Sequence, residues 1–243
     1  MTPLSAANLD ALLAVQALDT DLDRCRHRNA SLPERAELEA IATQLAGLEQ
    51  QLAAAITERN AVAERQQALE HSLAGVENRA AEVKKRLYGG TVSATRELQA
   101  MAAEVDSLIA RGSELEERVL EAMEERDPLD GRVNTLDGEK SSLLAARVAV
   151  GEKLAAHEAE VGAEMDALNF ARAEAAADVP DDLIATYERL RQRLGGVGAA
   201  RLVGSRCGGC HLTLPATELD QLRRQPPGTL NYCDQCGRIL VPT

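Results

Sequence analysis

The 243-residue sequence has no tryptophan, one phenylalanine and three tyrosines, so aromatics make up only 2% of it. Phe and Trp supply much of the buried area of an ordinary core, and their scarcity excludes a large globular core. Lysine is scarce too: Lys84, Lys85, Lys140 and Lys153 stand against 23 arginines, and with so much alanine this reads as GC-rich codon usage. No apolar run approaches the roughly 20 residues that a membrane helix needs. The opening MTPLSAANLD has neither a basic n-region nor an apolar h-region, so no signal peptide is expected. A soluble, cytoplasmic chain without membrane contact is the expectation. Five cysteines do not suit a disulfide scaffold, whereas four of them in two Cys-x-x-Cys pairs suit a metal.

What the sequence has in quantity is Ala, Leu, Glu, Arg and Gln, the makeup of long helices. From Leu38 the apolar positions recur in alternating steps of three and four through Ile41, Leu45, Leu48, Leu52 and Ala55, and again from Val62 to Leu87. Arg59 and Gln66 interrupt the stripe. Such persistence predicts a coiled coil. Gly89 and Gly90 then end the helix, since glycine accepts the left-handed conformation of a C-cap. Ser93 or Thr95 is expected to cap a second helix, with Glu97 in its first turn. Its stripe runs from Leu98 through Met101, Val105, Leu108, Gly112, Leu115, Val119 and Ala122 to Leu136, and is less regular beyond Lys140.

So short a turn forces the two helices antiparallel. Leu87 should then face Leu98, Val76 face Leu108, Leu69 face Leu115 and Leu52 face Val133. Arg59 falls opposite Arg126, with Glu58, Glu124 and Glu125 near enough to compensate, and Gln66 falls opposite Val119. Pro128 is expected to kink the second helix there. One helix from Glu34 to Leu87 would measure about 80 Å. A first helix carries Val15, Leu18, Leu22 and Cys25 on one stripe. Ser31 to Glu34 reads as a break with a capping box, and 178–180 as a second break. Leu183, Tyr187, Leu190 and Leu194 mark a last helix, followed by a flexible joint at Gly195–Gly198.

The fold class is therefore mainly α: a long antiparallel coiled-coil hairpin over residues 1–194, its tip near 88–95, with a small C-terminal four-cysteine zinc ribbon over 195–243. Residues 195–243 carry five arginines against three acids, a net of +2, leaving −14 of the overall −12 on residues 1–194. That helical body repels nucleic acid. In the C-terminal part Cys207, Cys210, Cys233 and Cys236 have the spacing C-x2-C-x22-C-x2-C. Two such knuckles supply four thiolates, the closed tetrahedral set of one structural zinc with no open position for catalysis. A redox dithiol or a disulfide pair is the weaker reading. His211, directly after Cys210, reads as a surface residue. Gly208, Gly209 and Gly237 sit where the knuckles need tight turns. Residues 212–214, 230–232 and 238–241 read as strands, and Pro215 to Arg224 as a short helix.

Lys-Lys-Arg-Leu-Tyr-Gly-Gly at 84–90, Arg-Glu-Leu-Gln-Ala at 96–100 and Cys233-Asp-Gln-Cys-Gly-Arg-Ile-Leu240 resemble the tip and the last knuckle of the bacterial C4-type zinc-ribbon, coiled-coil family. The resemblance spans essentially the whole chain. It implies a helical hairpin bearing a zinc ribbon, and a nucleic-acid-binding regulatory adaptor. Some members of that family are tied to flagellar gene expression, a role to which no residue here speaks.

Two sets of residues are candidates for contact. Arg189, Arg191, Arg193, Arg201 and Arg206 form an acid-free run that Arg223, Arg224 and Arg238 extend, and such a stripe is what phosphate contact with RNA or DNA requires. Against it, a four-thiolate zinc centre carries a charge of about −2, and Tyr232 alone offers a stacking ring. At the tip, Lys84, Lys85, Arg86, Tyr88 and Arg96 make a docking site for RNA or a protein partner, or simply a solvated helix end. The alternative function is a protein–protein adaptor or chaperone that uses the tip and the ribbon. A monomer or a weak dimer is expected. With no glycine-rich phosphate loop and no His–acid constellation, no enzyme is expected.

Overall fold

A computed structural model of the chain describes residues 4–90, 92–226 and 229–242. Residues 1–3, at the start tested for a signal peptide, and Thr91, in the expected turn, lie outside the described residues. The elements are α1 (Ala6–Ala30), α2 (Pro33–Tyr88), α3 (Thr95–Ala177), α4 (Asp181–Arg193), β1 (Ala199–Val203), β2 (Arg206–Cys207), α5 (Ala216–Arg224), β3 (Asn231–Tyr232) and β4 (Ile239–Val241). Packing divides them into two compact units, residues 37–150 and residues 1–36 with 151–243. This cuts across the expected division at 194/195, because the first helix packs against the last third of the chain.

In the unit of residues 37–150, α2 and α3 run antiparallel along a leucine-rich seam. Leu52 and Val133 share one cluster with Leu48 and Leu136, and Leu69 and Leu115 share another with Leu73 and Val119. Each such leucine contributes about 1.5–3 kcal/mol through burial. Beyond Lys140, where the stripe loses regularity, Leu143, Leu144 and Val150 pack with Ile41 and Leu45. Two places differ from the expected seam. Leu87 joins Val83, Met101 and Val105, while Val76 packs with the Leu69–Leu115 layer and Leu108 does not. Ala80 and Gly112 are too small to fill the layer between those clusters. At the polar interruption, Asp130 rather than Glu58, Glu124 or Glu125 answers the two arginines. It accepts from Arg59 at 3.4 Å and from Arg126 Nε at 3.2 Å. Arg126 also donates to Gln66 at 2.9 Å, so Gln66 is satisfied across the seam instead of abutting Val119. Glu58 and Glu125 are drawn away to Arg132 and Arg65. The helix α3 runs through Pro128 without interruption.

The helix ends differ in detail from expectation. Ala94, not Ser93 or Thr95, precedes α3, its carbonyl accepting from the N–H groups of Glu97 and Leu98. Ser31 closes α1 by donating to the Arg28 carbonyl and forms no capping box. Glu34 instead reaches His157 Nδ1 at 3.0 Å.

In the other unit, Leu12 and Val15 of α1 pack with Leu183, Tyr187 and Leu190 of α4 and with Ala199, Ile239 and Val241 of the sheet. Leu22 and Cys25 are buried on the same stripe, and Leu18 is half-buried. Gln16 and Asp19, both polar, are buried among them. Asp19 accepts from Tyr187 Oη at 2.8 Å and from Arg172 Nε at 2.7 Å, with Arg191 Nε 3.6 Å away. Burial and this carboxylate push the Tyr187 hydroxyl well above its ordinary pKa, so it stays a donor. Gln16 accepts from Gly198 N at 2.7 Å and donates to the Gly196 carbonyl at 3.1 Å. The glycine joint, expected to be flexible, is thus pinned to α1. A Cβ at Gly198 would lie 2.8 Å from the Tyr187 carbonyl oxygen, so this position requires glycine.

The sheet order is β2-β1-β4-β3, with β1 parallel to β4 and the other pairs antiparallel. The strand β1 had no counterpart in the sequence reading, and residues 212–214 contribute a single bridge, Thr213 to Arg206, where a strand was expected. Alternation divides the sheet: Ala199, Ile239 and Val241 face the helices, while Ala200, Leu202 and Leu240 face the cysteines. Among the described residues no helix is long and apolar enough to cross a membrane. Asp19→Ala leaves Arg172 and Arg191 without their shared carboxylate, and should destabilise the protein by about 3 kcal/mol; urea unfolding followed by circular dichroism measures it.

Candidate metal centre

The first knuckle follows β2 and the second precedes β4. The two are closely similar in backbone. In each, the residue after the second cysteine donates to the carbonyl of the first: His211 N to Cys207 O at 2.8 Å, and Gly237 N to Cys233 O at 2.7 Å. Both residues are left-handed, with φ of 63° and 71°. His211 therefore occupies a position that favours glycine. Its carbonyl accepts from Arg206 Nε at 2.7 Å. Gly209 lies under Arg238, where a Cβ would come within 2.5 Å of that side chain.

These turns bring the Sγ atoms of Cys207, Cys210, Cys233 and Cys236 within 4.8 Å of one another. Cys207 and Cys236 are 4.0 Å apart, and Cys210 and Cys233 3.9 Å. Tetrahedral zinc with bonds near 2.3 Å has sulfur–sulfur edges of about 3.8 Å, so the donor set fits the ion. Burial raises the Cys207 thiol and pushes Cys233 up to about 12, although knuckle N–H groups work against it. Burial raises Cys236 as well, but the backbone and side chain of Arg238 and the neighbouring thiols outweigh it and bring this group to about 7. Four thiolates in so small a volume need a cation among them. The site holds one structural zinc, and its four protein ligands leave no position open. Leu214, Leu219 and Leu222 pack behind the cysteines, which ties metal binding to folding of the ribbon.

The arginines expected on the nucleic-acid face are largely engaged within the chain. Arg191 pairs with Asp23 at 2.5 Å and lies beside Asp19. Arg238 donates to the carbonyls of Val197 and Leu194, closing the C-terminal end of α4 against the ribbon. Arg201 pairs with Asp10 at 2.8 Å, Arg224 with Asp220 at 2.6 Å, and Arg189 bonds within its own helix. Arg206 is exposed but held by His211. Arg193 and Arg223 are exposed and enter no ion pair among the described residues. At the tip, Lys84, Lys85, Arg86 and Arg96 are all exposed, and Tyr88 is 82% exposed. None of these four cations has an acidic partner among the described residues. Gly89 and Gly90 make the turn: a Cβ on Gly89 would meet the Lys85 carbonyl oxygen at 2.7 Å, and Gly90 has φ of 70°. Sequence reasoning missed Gln16, Asp19 and Asp130; the available signal was a polar residue lying on or beside an otherwise apolar stripe.

Residues 15–195 match the model of the CT398-like coiled coil hairpin domain, and residues 206–240 that of the C4-type zinc ribbon domain. The chain is 29% identical to Rv2229c of Mycobacterium tuberculosis, an uncharacterized protein, over 95% of this chain and 94% of that one. A Mycobacterium smegmatis structure superposes with a TM-score of 0.86 at 22% identity, covering all of both chains. CT398 from Chlamydia trachomatis follows at 0.66 and 19% identity, over 97% of this chain and 98% of that one. The HP0958 protein of Helicobacter pylori reaches 0.51 at 17% identity, over 98% of each. These structures share the fold.

Cys233→Ser should abolish stoichiometric zinc binding, measured by metal analysis of freshly reduced protein. Chelation should remove near-ultraviolet signal from Tyr232 and leave most helical circular dichroism intact. His211→Gly should keep one zinc per chain. It should stabilise the ribbon by about 0.5–1 kcal/mol, the relief of a left-handed side chain less the added freedom of the unfolded glycine. Loss of zinc from this variant would make His211 a ligand.

Proposed function

This chain belongs to the CT398-like coiled coil hairpin family, and we propose that it is a protein–protein adaptor whose hairpin tip is the contact surface. The observation that carries this is Tyr88. Of the four aromatic residues only Tyr187 is buried, and Tyr88 at the tip is the most exposed, at 82% against 67% for Phe170 and 41% for Tyr232, with Lys84, Lys85, Arg86 and Arg96 near it in sequence. Exposed tyrosine beside arginine is the composition of interface hot spots. The unpaired cations suit a partner that presents acidic and apolar groups. The ribbon supports this reading as a rigid module with a closed metal site. The two matched models describe a coiled coil hairpin and a C4-type zinc ribbon, which suits an adaptor.

The second reading is nucleic-acid binding. Arg193, Arg206 and Arg223 favour it, being exposed and free of acidic partners among the described residues. The engagement of Arg191, Arg201, Arg224 and Arg238 weakens it, because each phosphate contact would need a cation not already paired.

Affinity capture with wild-type protein and Tyr88→Ala, each with and without nuclease, separates the two. The adaptor reading expects nuclease-resistant capture of defined partners, reduced about tenfold or more by Tyr88→Ala. Helicity and zinc content should be unchanged. Salt-dependent RNA or DNA binding that Arg193→Ala with Arg223→Ala flattens by roughly one unit of slope per lost contact would establish the second reading instead.

A further inference from the structure

Within the unit of residues 1–36 and 151–243, the break between α1 and α2 is tied to α3 by three pairs of side chains. These are Arg28 with Glu164, Arg35 with Glu158 and Glu34 with His157. A cavity of about 270 Å³ lies at the break, and its ionisable lining is Arg28, Glu34, His157 and Glu160. The third pair leaves a group unsatisfied. Glu34 is only 8% exposed. Its Oε1 stands 3.0 Å from His157 Nδ1, while its Oε2 is buried with no hydrogen-bond partner among the described residues. Such an oxygen is costly to keep out of water. Glu160, one turn after His157 on α3, is exposed and enters no ion pair among the described residues. Arg28 and Arg35 stand among Glu34, Glu158, Glu160 and Glu164, so the cluster has two negative charges in excess.

We propose that Glu34, His157 and Glu160 form a second metal site, which takes a divalent transition-metal cation such as zinc. Two ligands bonded to one cation at about 2.1 Å stand roughly 3.0–3.4 Å apart, from octahedral to tetrahedral geometry. Glu34 Oε1 and His157 Nδ1 already have such a separation, at 3.0 Å. The cation takes the place of the proton between them, and the neutral ring keeps its one proton on Nε2. A carboxylate can bind through both oxygens, which gives Glu34 Oε2 the partner it lacks. Glu160 supplies the third ligand. Residues three apart on a helix share a face, and a histidine and a glutamate at this spacing can serve one metal centre. Among the described residues only the four cysteines bring their donor atoms within 4.8 Å of one another as they stand, so Glu160 joins by rotating its exposed side chain. Arg28, the one cation in the lining, is already held by Glu164. One imidazole with two carboxylates selects a metal such as zinc over magnesium or calcium, which take oxygen ligands. Three protein ligands leave a position for water, so this ion is held more weakly than the one among the cysteines. It fastens the first turn of α2 to α3 at the point where α1 has ended.

Calorimetric titration of zinc into the full chain, already carrying its cysteine-bound zinc, tests this. One further zinc per chain should bind, and magnesium titrated in parallel should not. His157→Ala and Glu160→Gln should each weaken that second ion by more than the roughly tenfold that even an outer-shell partner costs. Both positions are exposed, so circular dichroism should not change. Metal analysis after dialysis should still find the cysteine-bound zinc in both variants. His71→Ala removes an imidazole of the other unit and should leave the second ion in place. Absence of a second zinc overturns the site. So does a second zinc that His157→Ala or Glu160→Gln leaves undiminished, or that His71→Ala removes, and so does magnesium binding of equal strength. The site uses no tip residue, so none of these outcomes decides the adaptor reading.

Discussion

The C-terminal half of this fold depends on a carboxylate buried among apolar residues. Asp19 is 2% exposed on a helix face otherwise made of Leu12, Val15 and Leu22. It is tolerable there because Tyr187, Arg172 and Arg191 converge on it from two other helical segments. A buried charge without partners costs several kcal/mol, so the sequence is committed to bringing α1, the end of α3 and α4 together in one arrangement. Gln16, one turn earlier, fastens the chain leaving α4 through Gly196 and Gly198. The ribbon is thereby placed on the helices by hydrogen bonds before any of its apolar contacts are counted. Leucine against leucine tolerates sliding, whereas these groups do not.

The same logic appears in the hairpin. Arg59, Gln66, Arg126 and Asp130 interrupt the apolar seam and bond to one another across it. A shift of the helices by one heptad would set Arg59 against Val119 or Val133, so this layer specifies register at some cost in stability. Ala80 and Gly112 interrupt the seam differently, by lack of volume. The polar interruption closes the seam, and the small one opens a groove beside it.

Much of this was legible in the sequence. The 3-4 repeat gave both long helices, and the adjacent glycines gave the turn. Proline at 33 and 180 gave the breaks, and cysteine spacing gave the metal ligands. Each of these signals is local or periodic, and needs no knowledge of what lies opposite. The failures share the converse property. Asp130 was overlooked because three glutamates were nearer along the sequence, and the choice among acids depends on rotation about the helix axis. The Ser31 capping box failed because Glu34 found His157, distant in sequence. The strand β1 was invisible because Ala199–Val203 is short and weakly patterned, and becomes a strand by pairing with β2 and with β4 forty residues later. The arginine stripe looked free because its acids, Asp10, Asp19 and Asp23, belong to α1 at the other end of the chain.

That last point bears on function. A sheet ordinarily offers a face for recognition, but here one face of β4 is spent on α1 and α4 and the other on the cysteines, with all three of its residues buried. The ribbon's cations are similarly spent: Arg238 caps α4, and Arg191 and Arg201 bind α1. What remains exposed and without an acidic partner among the described residues is Arg193 at the end of α4, with Arg206 and Arg223 on the ribbon, whose metal centre has the opposite charge. The tip has the reverse character. Its glycines turn the chain without needing side-chain partners, so its tyrosine and four cations are left with no structural task. Tyr88 is the most exposed of the aromatics, ahead of Phe170 and Tyr232, and it alone of the three stands beside cations that have no acidic partner among the described residues. The proposed adaptor contact would give that ring and those cations a partner.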